Sequence, residues 1–230
     1  MHSRLETALS IIFTSSAVVF ASTFAIRTFS DRDAAARSSG VRPPEFLTDW
    51  ERLRTQAVRV GPASAKVAIL EFGDFECPVC KEFHSELQVV RQKFPNDVAV
   101  LYAHFPLSRH RFATAAARAS ECADRQGKFE QIHDLLFAKQ DSLGLKEWVA
   151  YATEAGVGDT AAFNECLSTG AFPRIDAGLA AAKAIEARGT PTVIVNGWRL
   201  FHTPSASELV KMVQAVLQNR SPATVVSAAR

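Results

Sequence analysis

The chain has 230 residues, 47% of them hydrophobic, with 26 Lys and Arg against 24 Asp and Glu and four cysteines. That length buries a sizeable core without covalent staples, which excludes a disulfide-framework miniprotein. The net charge of +2 is dispersed rather than gathered into a basic stripe, which speaks against nucleic acid as a partner.

The apolar residues are unevenly spread. Thr7 to Ile26 is 20 residues without a charge, and a helix of that length reaches about 30 Å, the hydrocarbon thickness of a bilayer. Ser and Thr dilute the run, and Thr23-Phe24-Ala25 offers a small-residue cleavage site. Residues 1–26 therefore read as a signal-anchor, with a cleaved signal peptide and a buried helix as the other readings. Arg27, Arg32, Arg37 and Arg42 come after the segment and only Arg4 precedes it. Taken alone, that count places the C-terminal domain in the cytoplasm, unless the cysteine chemistry demands an oxidising compartment. Residues 27–45, rich in Ala, Ser, Arg and Asp and ending after Arg42-Pro43-Pro44, read as a spacer from the membrane.

Residues 46–220 carry no repeat and read as one folding unit. Asp49 to Gln56 suggests a short helix and Val58 to Val60 a brief strand. Val67 to Phe72 is a compact apolar run of strand type bounded by turn residues. After Cys77-Pro78, the residues Val79, Phe83, Leu87, Val90 and Phe94 recur at helical spacing, and Pro78 stands at the first helical position, where a missing N–H costs nothing. Val98 to Ala103 is a second strand, giving a strand–helix–strand unit of the parallel kind. Residues 107–188 are helical in pattern. Thr192 to Val195, Asn196-Gly197 and Trp198 to Phe201 then form a hairpin, and Ser205 opens a helix to Leu217 with Glu208 at capping-box spacing. Residues 221–230 read as a loose tail.

Cys77-Pro78-Val79-Cys80 sets two thiols at i and i+3 at a helix start. Unpaired N–H groups and the helix dipole favour an anion at the first of them, and a thiolate beside a resolving thiol is what thiol–disulfide exchange requires. The same spacing is half of a zinc site, but Cys122 and Cys166 are isolated and no histidine cluster supplies ligand spacing, so no metal is expected.

Several separated motifs in order carry a resemblance. Leu70 to Cys80, Phe105-Pro106-Leu107, Gly127-Lys128-Phe129 with His133-Asp134 and Leu136-Phe137, and Gly189-Thr190-Pro191-Thr192 together resemble the DsbA-like thioredoxin-fold oxidoreductases, from about Trp50 to Leu217. The resemblance implies an α/β thioredoxin fold with an all-helical domain inserted in the sheet topology. It implies that Cys77 attacks, that Cys80 resolves, and that the pair forms a redox-active disulfide without a cofactor. Pro191 matches a cis-proline facing that disulfide, Thr190 the residue whose backbone pairs with substrate, and Pro78 and Val79 the residues that meet substrate between the cysteines. Glu71 matches a buried acid beneath the site, able to exchange a proton with Cys80; a solvated strand-end carboxylate is the plainer reading, at odds with its neighbours Ile69, Leu70 and Phe72.

The function so implied is exchange of disulfides with cysteine-containing client proteins after their translocation. A membrane redox partner would reset the site, in a periplasmic or extracytoplasmic setting anchored through residues 7–26. A reductase or isomerase of the same fold is the alternative, and the 19 residues between the apolar segment and Phe46 leave no room for the dimerisation domain isomerases of this superfamily carry. A non-catalytic module holding Cu(I) between the two thiols is the alternative from another class. An exported protein with free thiols beside such a pair risks mispairing, which favours a structural Cys122–Cys166 disulfide over two buried thiols. His84 reads as a surface residue on its helix, His104 and His110 as loop residues, and Asp74 and Glu76 as solvated charges.

Overall fold

The computed structural model describes residues 42–228; the apolar segment and most of the spacer lie outside them. The parallel pair expected from the sequence forms the centre of a six-stranded sheet. Strand β3 (Val67–Gly73) runs parallel to β4 (Val98–His104), joined by helix α2 (Pro78–Lys93). The hairpin β5 (Thr192–Val195) and β6 (Trp198–Arg199) adds antiparallel to the other side of β3, turning on Asn196 and Gly197, both at positive φ. Two edges complete the order β1-β6-β5-β3-β4-β2. Strand β2 (Val58–Val60) pairs with β4, and β1 (Glu45–Phe46) pairs with β6. Between β1 and β2 lies helix α1 (Trp50–Arg54). Glu45, expected as the last residue of the spacer, thus belongs to the sheet, because the unpaired edge of β6 offers it a partner.

The segment between β4 and β5 is helical throughout: α3 (Ala113–Asp124), α4 (Phe129–Ala138), a short 3₁₀ turn (Gln140–Ser142), α5 (Trp148–Glu154), α6 (Thr160–Thr169) and α7 (Pro173–Ala184). Helix α8 (Ala206–Leu217) comes after the hairpin. Ser205 caps it by accepting the Glu208 N–H, but the Glu208 carboxylate goes to His202 instead of closing the box. The expected loose tail is corrected in part, since Ala223–Ala228 forms helix α9, whose Val226 buries an apolar side chain against the main core.

Strand alternation divides the interior in two. Val67 and Ile69 of β3 and Val98, Val100 and Tyr102 of β4 face the large cluster, with Cys80, Phe83, Leu87 and Val90 of α2 and residues of α3–α6 and α8. Ala68, Leu70 and Phe72 with Leu101 and Ala103 face the opposite, smaller cluster, covered by Leu53 of α1 and Ala181 and Ala182 of α7. A period of two therefore puts Glu71 on the Ile69 face, the side on which α2 packs.

Helix α7 reaches the end of β4 only because Gly178 has no side chain: a Cβ there would stand 2.2 Å from the His104 carbonyl oxygen, and a backbone oxygen cannot swing aside. Gly178→Ala is expected to cost about 2–3 kcal/mol in urea unfolding, despite the better helix propensity of alanine.

A disulfide joins Cys122 of α3 to Cys166 of α6, with Cα atoms 5.8 Å apart across 44 residues of sequence. It closes a loop within the helical layer, remote in sequence from the C-x-x-C pair. Replacing both cysteines by serine is expected to lower stability by about 3–4 kcal/mol in denaturant unfolding, while thiol titration of Cys77 and Cys80 stays unchanged.

Candidate active site

Strand β3 ends at Gly73, and the chain turns through Asp74-Phe75-Glu76 so that Cys77 becomes the N-cap of α2, with extended backbone and Pro78 opening the first turn. Three side chains hold this turn in ways the sequence does not display. Asp74, expected to be solvated, is buried: its carboxylate accepts the Glu76 N–H at 2.8 Å, the Leu107 N–H at 2.8 Å and His110 Nδ1–H at 2.7 Å. Glu76 is half-buried and accepts the Phe112 N–H. The buried Gln140 amide donates to the carbonyls of Phe75 (2.8 Å) and Cys77 (3.0 Å), clamping the turn from the helical layer. Apart from the Asp74–Glu76 contact, each of these partners arrives from more than 30 residues away, so the sequence does not display the roles.

Cys77 and Cys80 are both free thiols, each nearly or wholly buried, while Pro78 and Val79 between them are exposed. In its protonated form the Cys77 thiol donates to the carbonyl oxygen of Thr190 at 3.4 Å, and the Thr190–Pro191 peptide bond is cis. The segment leading into the hairpin thus presents its backbone directly to Cys77 Sγ.

The two thiols are set far apart in acidity. The Cys80 thiol beside it lowers the Cys77 pKa from 9.0 to about 5, against the opposing effect of burial, with further help from Thr190 and from the N–H groups of Cys80 and Val79 at the helix start. Burial raises the Cys80 thiol well above its ordinary range, and the neighbouring Cys77 and Glu71 add to the effect. Cys77 is therefore a thiolate at neutral pH and Cys80 holds its proton.

Glu71 lies wholly buried beneath them. Burial raises its pKa from 4.5 to about 8, the Cys80 thiol opposing and Cys77 adding to the rise. Neither of its oxygens meets a hydrogen-bond partner. The solvated strand-end reading of Glu71 is excluded by its complete burial.

The histidines also differ from expectation. His104 ends β4 in the interior and donates to Glu121 of α3 at 2.9 Å, a buried pair that Arg174 of α7 extends. His84 is mostly covered, because its Nε2 donates at 2.9 Å to Asp134 of α4, which also accepts His133 Nδ1–H at 2.9 Å. His84, His133 and Asp134 offer ligand atoms within 4.8 Å of one another. Both rings donate to the carboxylate and Arg91 stands 3.8 Å from its other oxygen, while Nε2 of the buried His133 has no hydrogen-bond partner.

Known proteins share this fold. Residues 54–215 match a protein family described as Thioredoxin. BdbD from Bacillus subtilis has the same fold, with a TM-score of 0.63 at 21% identity over 77% of this chain and 97% of that one. DsbA from Mycobacterium tuberculosis gives 0.55 at 23% identity over 76% and 98%. In sequence, the Na(+)/H(+) antiporter NhaA 1 of Mycolicibacterium vanbaalenii is 36% identical over 159 residues, 67% of this chain and 26% of the relative. The chain spans about a quarter of the length of the curated relatives it matches. The fold is thus that of the solved BdbD and DsbA chains. The chain belongs to the thioredoxin family whose pattern its residues 54–215 carry.

Proposed function

We propose that the protein donates the Cys77–Cys80 disulfide to cysteines of exported client proteins. A client thiolate attacks Cys77 Sγ; the Cys77–Cys80 bond breaks, and Cys80 leaves with the electron pair and takes a proton from Glu71. A second client thiolate then attacks the client sulfur of the mixed disulfide and releases Cys77 as thiolate. The client loses two electrons and the Cys77–Cys80 pair gains them. The observation that carries this direction is the placement of Cys77 at the N-cap of α2 beside the Cys80 thiol, which depresses its pKa: a stabilised thiolate leaves readily and favours the reduced enzyme, which makes its disulfide oxidising.

Client binding is assigned to the surface around the sulfur. The exposed Pro78 and Val79 supply apolar contact, and the backbone at Thr190, ahead of cis-Pro191, supplies strand-like pairing. The divided acidity of the two thiols also favours exchange over Cu(I) storage, which calls for two thiolates. Continued turnover requires a membrane redox partner that reoxidises the pair. Export, with anchoring through residues 7–26, fits the oxidising compartment this chemistry needs, against the arginine count. That segment lies outside the described residues, among which no helix is long and apolar enough to cross a membrane.

The test is oxidation of a reduced, unfolded two-cysteine substrate by stoichiometric oxidised protein. Disulfide formation matched by loss of the Cys77–Cys80 bond is expected. An unchanged substrate, together with a reduction potential near the strongly reducing end, would make the protein a reductant.

A further inference from the structure

Tyr102 is fully buried on β4, directly opposite Glu71 in the β3–β4 register and on the same face of the sheet. Its ring stacks on Phe75 at 4.9 Å and meets the edges of His133 (4.9 Å) and His104 (5.3 Å). A phenylalanine would make all of these contacts. The hydroxyl is the unexplained part, because it has no hydrogen-bond partner and a buried unpaired hydroxyl costs about 1–3 kcal/mol. Both Glu71 oxygens are unpartnered in the same place.

Gly73 locates the two groups relative to each other. A Cβ on Gly73 would meet Tyr102 Cζ at 2.9 Å and Glu71 Oε1 at 2.9 Å, so these atoms lie within twice that distance of one another. The carbon that bears the hydroxyl and the carboxylate thus approach over a residue with no side chain, and neither group has a direct hydrogen-bond partner, which leaves a bridging water as the way to join them.

We propose that Tyr102 is a positioning residue for Glu71: through one bridging water its hydroxyl donates to the carboxylate that holds and returns the Cys80 proton. The inference rests on the proton-transfer role proposed for Glu71. When Cys80 leaves, the proton passes from Glu71 to its sulfur, and the carboxylate left behind is buried without a counter-ion. The phenol donor offsets that charge. A hydrogen bond to the ionised form lowers a carboxyl pKa, so Tyr102 keeps Glu71 ionisable within its buried site. The other ionisable groups around the pair are Cys77 and Cys80 from α2, Asp74 from the turn, His104 from β4 and His133 from α4. Asp74 is held by His110, His104 by Glu121 and His133 by Asp134, and none of them changes in the test.

The test is infrared titration of the reduced, full-length protein. Ordinary carboxyls are ionised above about pH 6, so a protonated carboxyl band persisting there and absent from Glu71→Gln reports Glu71. Tyr102→Phe is expected to move the midpoint of that band upward by about one pH unit. Site-specific replacement of Tyr102 by a fluorinated, more acidic tyrosine keeps the oxygen and is expected to move it downward. The pH dependence of disulfide release should track both shifts. Identical midpoints in the three proteins would overturn the role of Tyr102 and leave that of Glu71 standing. A wild-type protein with no such band would overturn both.

Discussion

Glu71→Gln is expected to stabilise the reduced protein, by an amount that depends on pH. Below about pH 4.5 the carboxyl is protonated in the folded and the unfolded chain alike, and the variant gains nothing from removing a charge. As pH rises from there the unfolded chain releases its proton while the folded chain keeps it, because burial has raised the folded pKa to about 8. Folding is penalised progressively until pH passes that value, after which the penalty is constant. At 1.36 kcal/mol per unit, the linkage at pH 7 comes to about 3 kcal/mol. Urea unfolding should therefore show little difference between the two proteins at acid pH and a widening advantage for the variant toward pH 8. The same variant should exchange disulfides more slowly, since Cys80 has lost the group that returns its proton. A stability difference that does not change with pH would mean that Glu71 is not the buried acid described here.

Cys77→Ser is expected to reduce disulfide exchange to the uncatalysed rate while leaving the fold intact, because serine keeps the N-cap position and only the nucleophile is lost. In the parent protein the thiolate absorbance of the reduced form should titrate near pH 5 and vanish in this variant. The sign of the linkage is opposite to that of Glu71. The folded pKa lies below the unfolded one, so ionisation stabilises the reduced fold increasingly above about pH 5, up to the ordinary thiol range, and that stabilisation is lost as pH falls through 5. The oxidised protein has no thiol to ionise. The pair therefore becomes more oxidising as pH rises from 5 toward neutrality, relative to a dithiol of ordinary acidity.

Much of the fold is legible in the sequence because its signals are local. The compact apolar run from Val67 to Phe72 and the helical spacing from Val79 to Phe94 specify β3 and α2 without reference to anything distant, Asn196-Gly197 specifies its own turn, and Ser205 its own cap. Edge strand β1 is not legible: two residues carry no periodicity, and Glu45–Phe46 form a strand only because β6 pairs with them. Helix α9 escapes the sequence for a similar reason, since its reason to order is the packing of Val226 on a core assembled elsewhere.

The site divides in the same way. The C-x-x-C spacing exposes its own chemistry, whereas Asp74 and Gln140 acquire their roles from partners that the fold brings to them. His84 looks exposed on its own helix because its partner Asp134 sits on a different one. Tyr102 has the pattern of an ordinary strand residue. Its position opposite Glu71 depends on the register of β3 against β4, which neither strand states by itself.

The proposed function makes Cys77 Sγ the atom that forms the bond to a client, and removing the resolving thiol tests this most directly. With Cys80→Ala, the remaining Cys77 thiolate should capture an activated mixed disulfide of a client peptide and hold it, because no internal thiol can release it. Mass spectrometry after digestion under non-reducing conditions is predicted to find one peptide per chain, attached at Cys77, with Cys122 and Cys166 still joined to each other. A chain that captures nothing, or carries the peptide on Cys122 or Cys166, would contradict the assignment of Cys77 as the nucleophile.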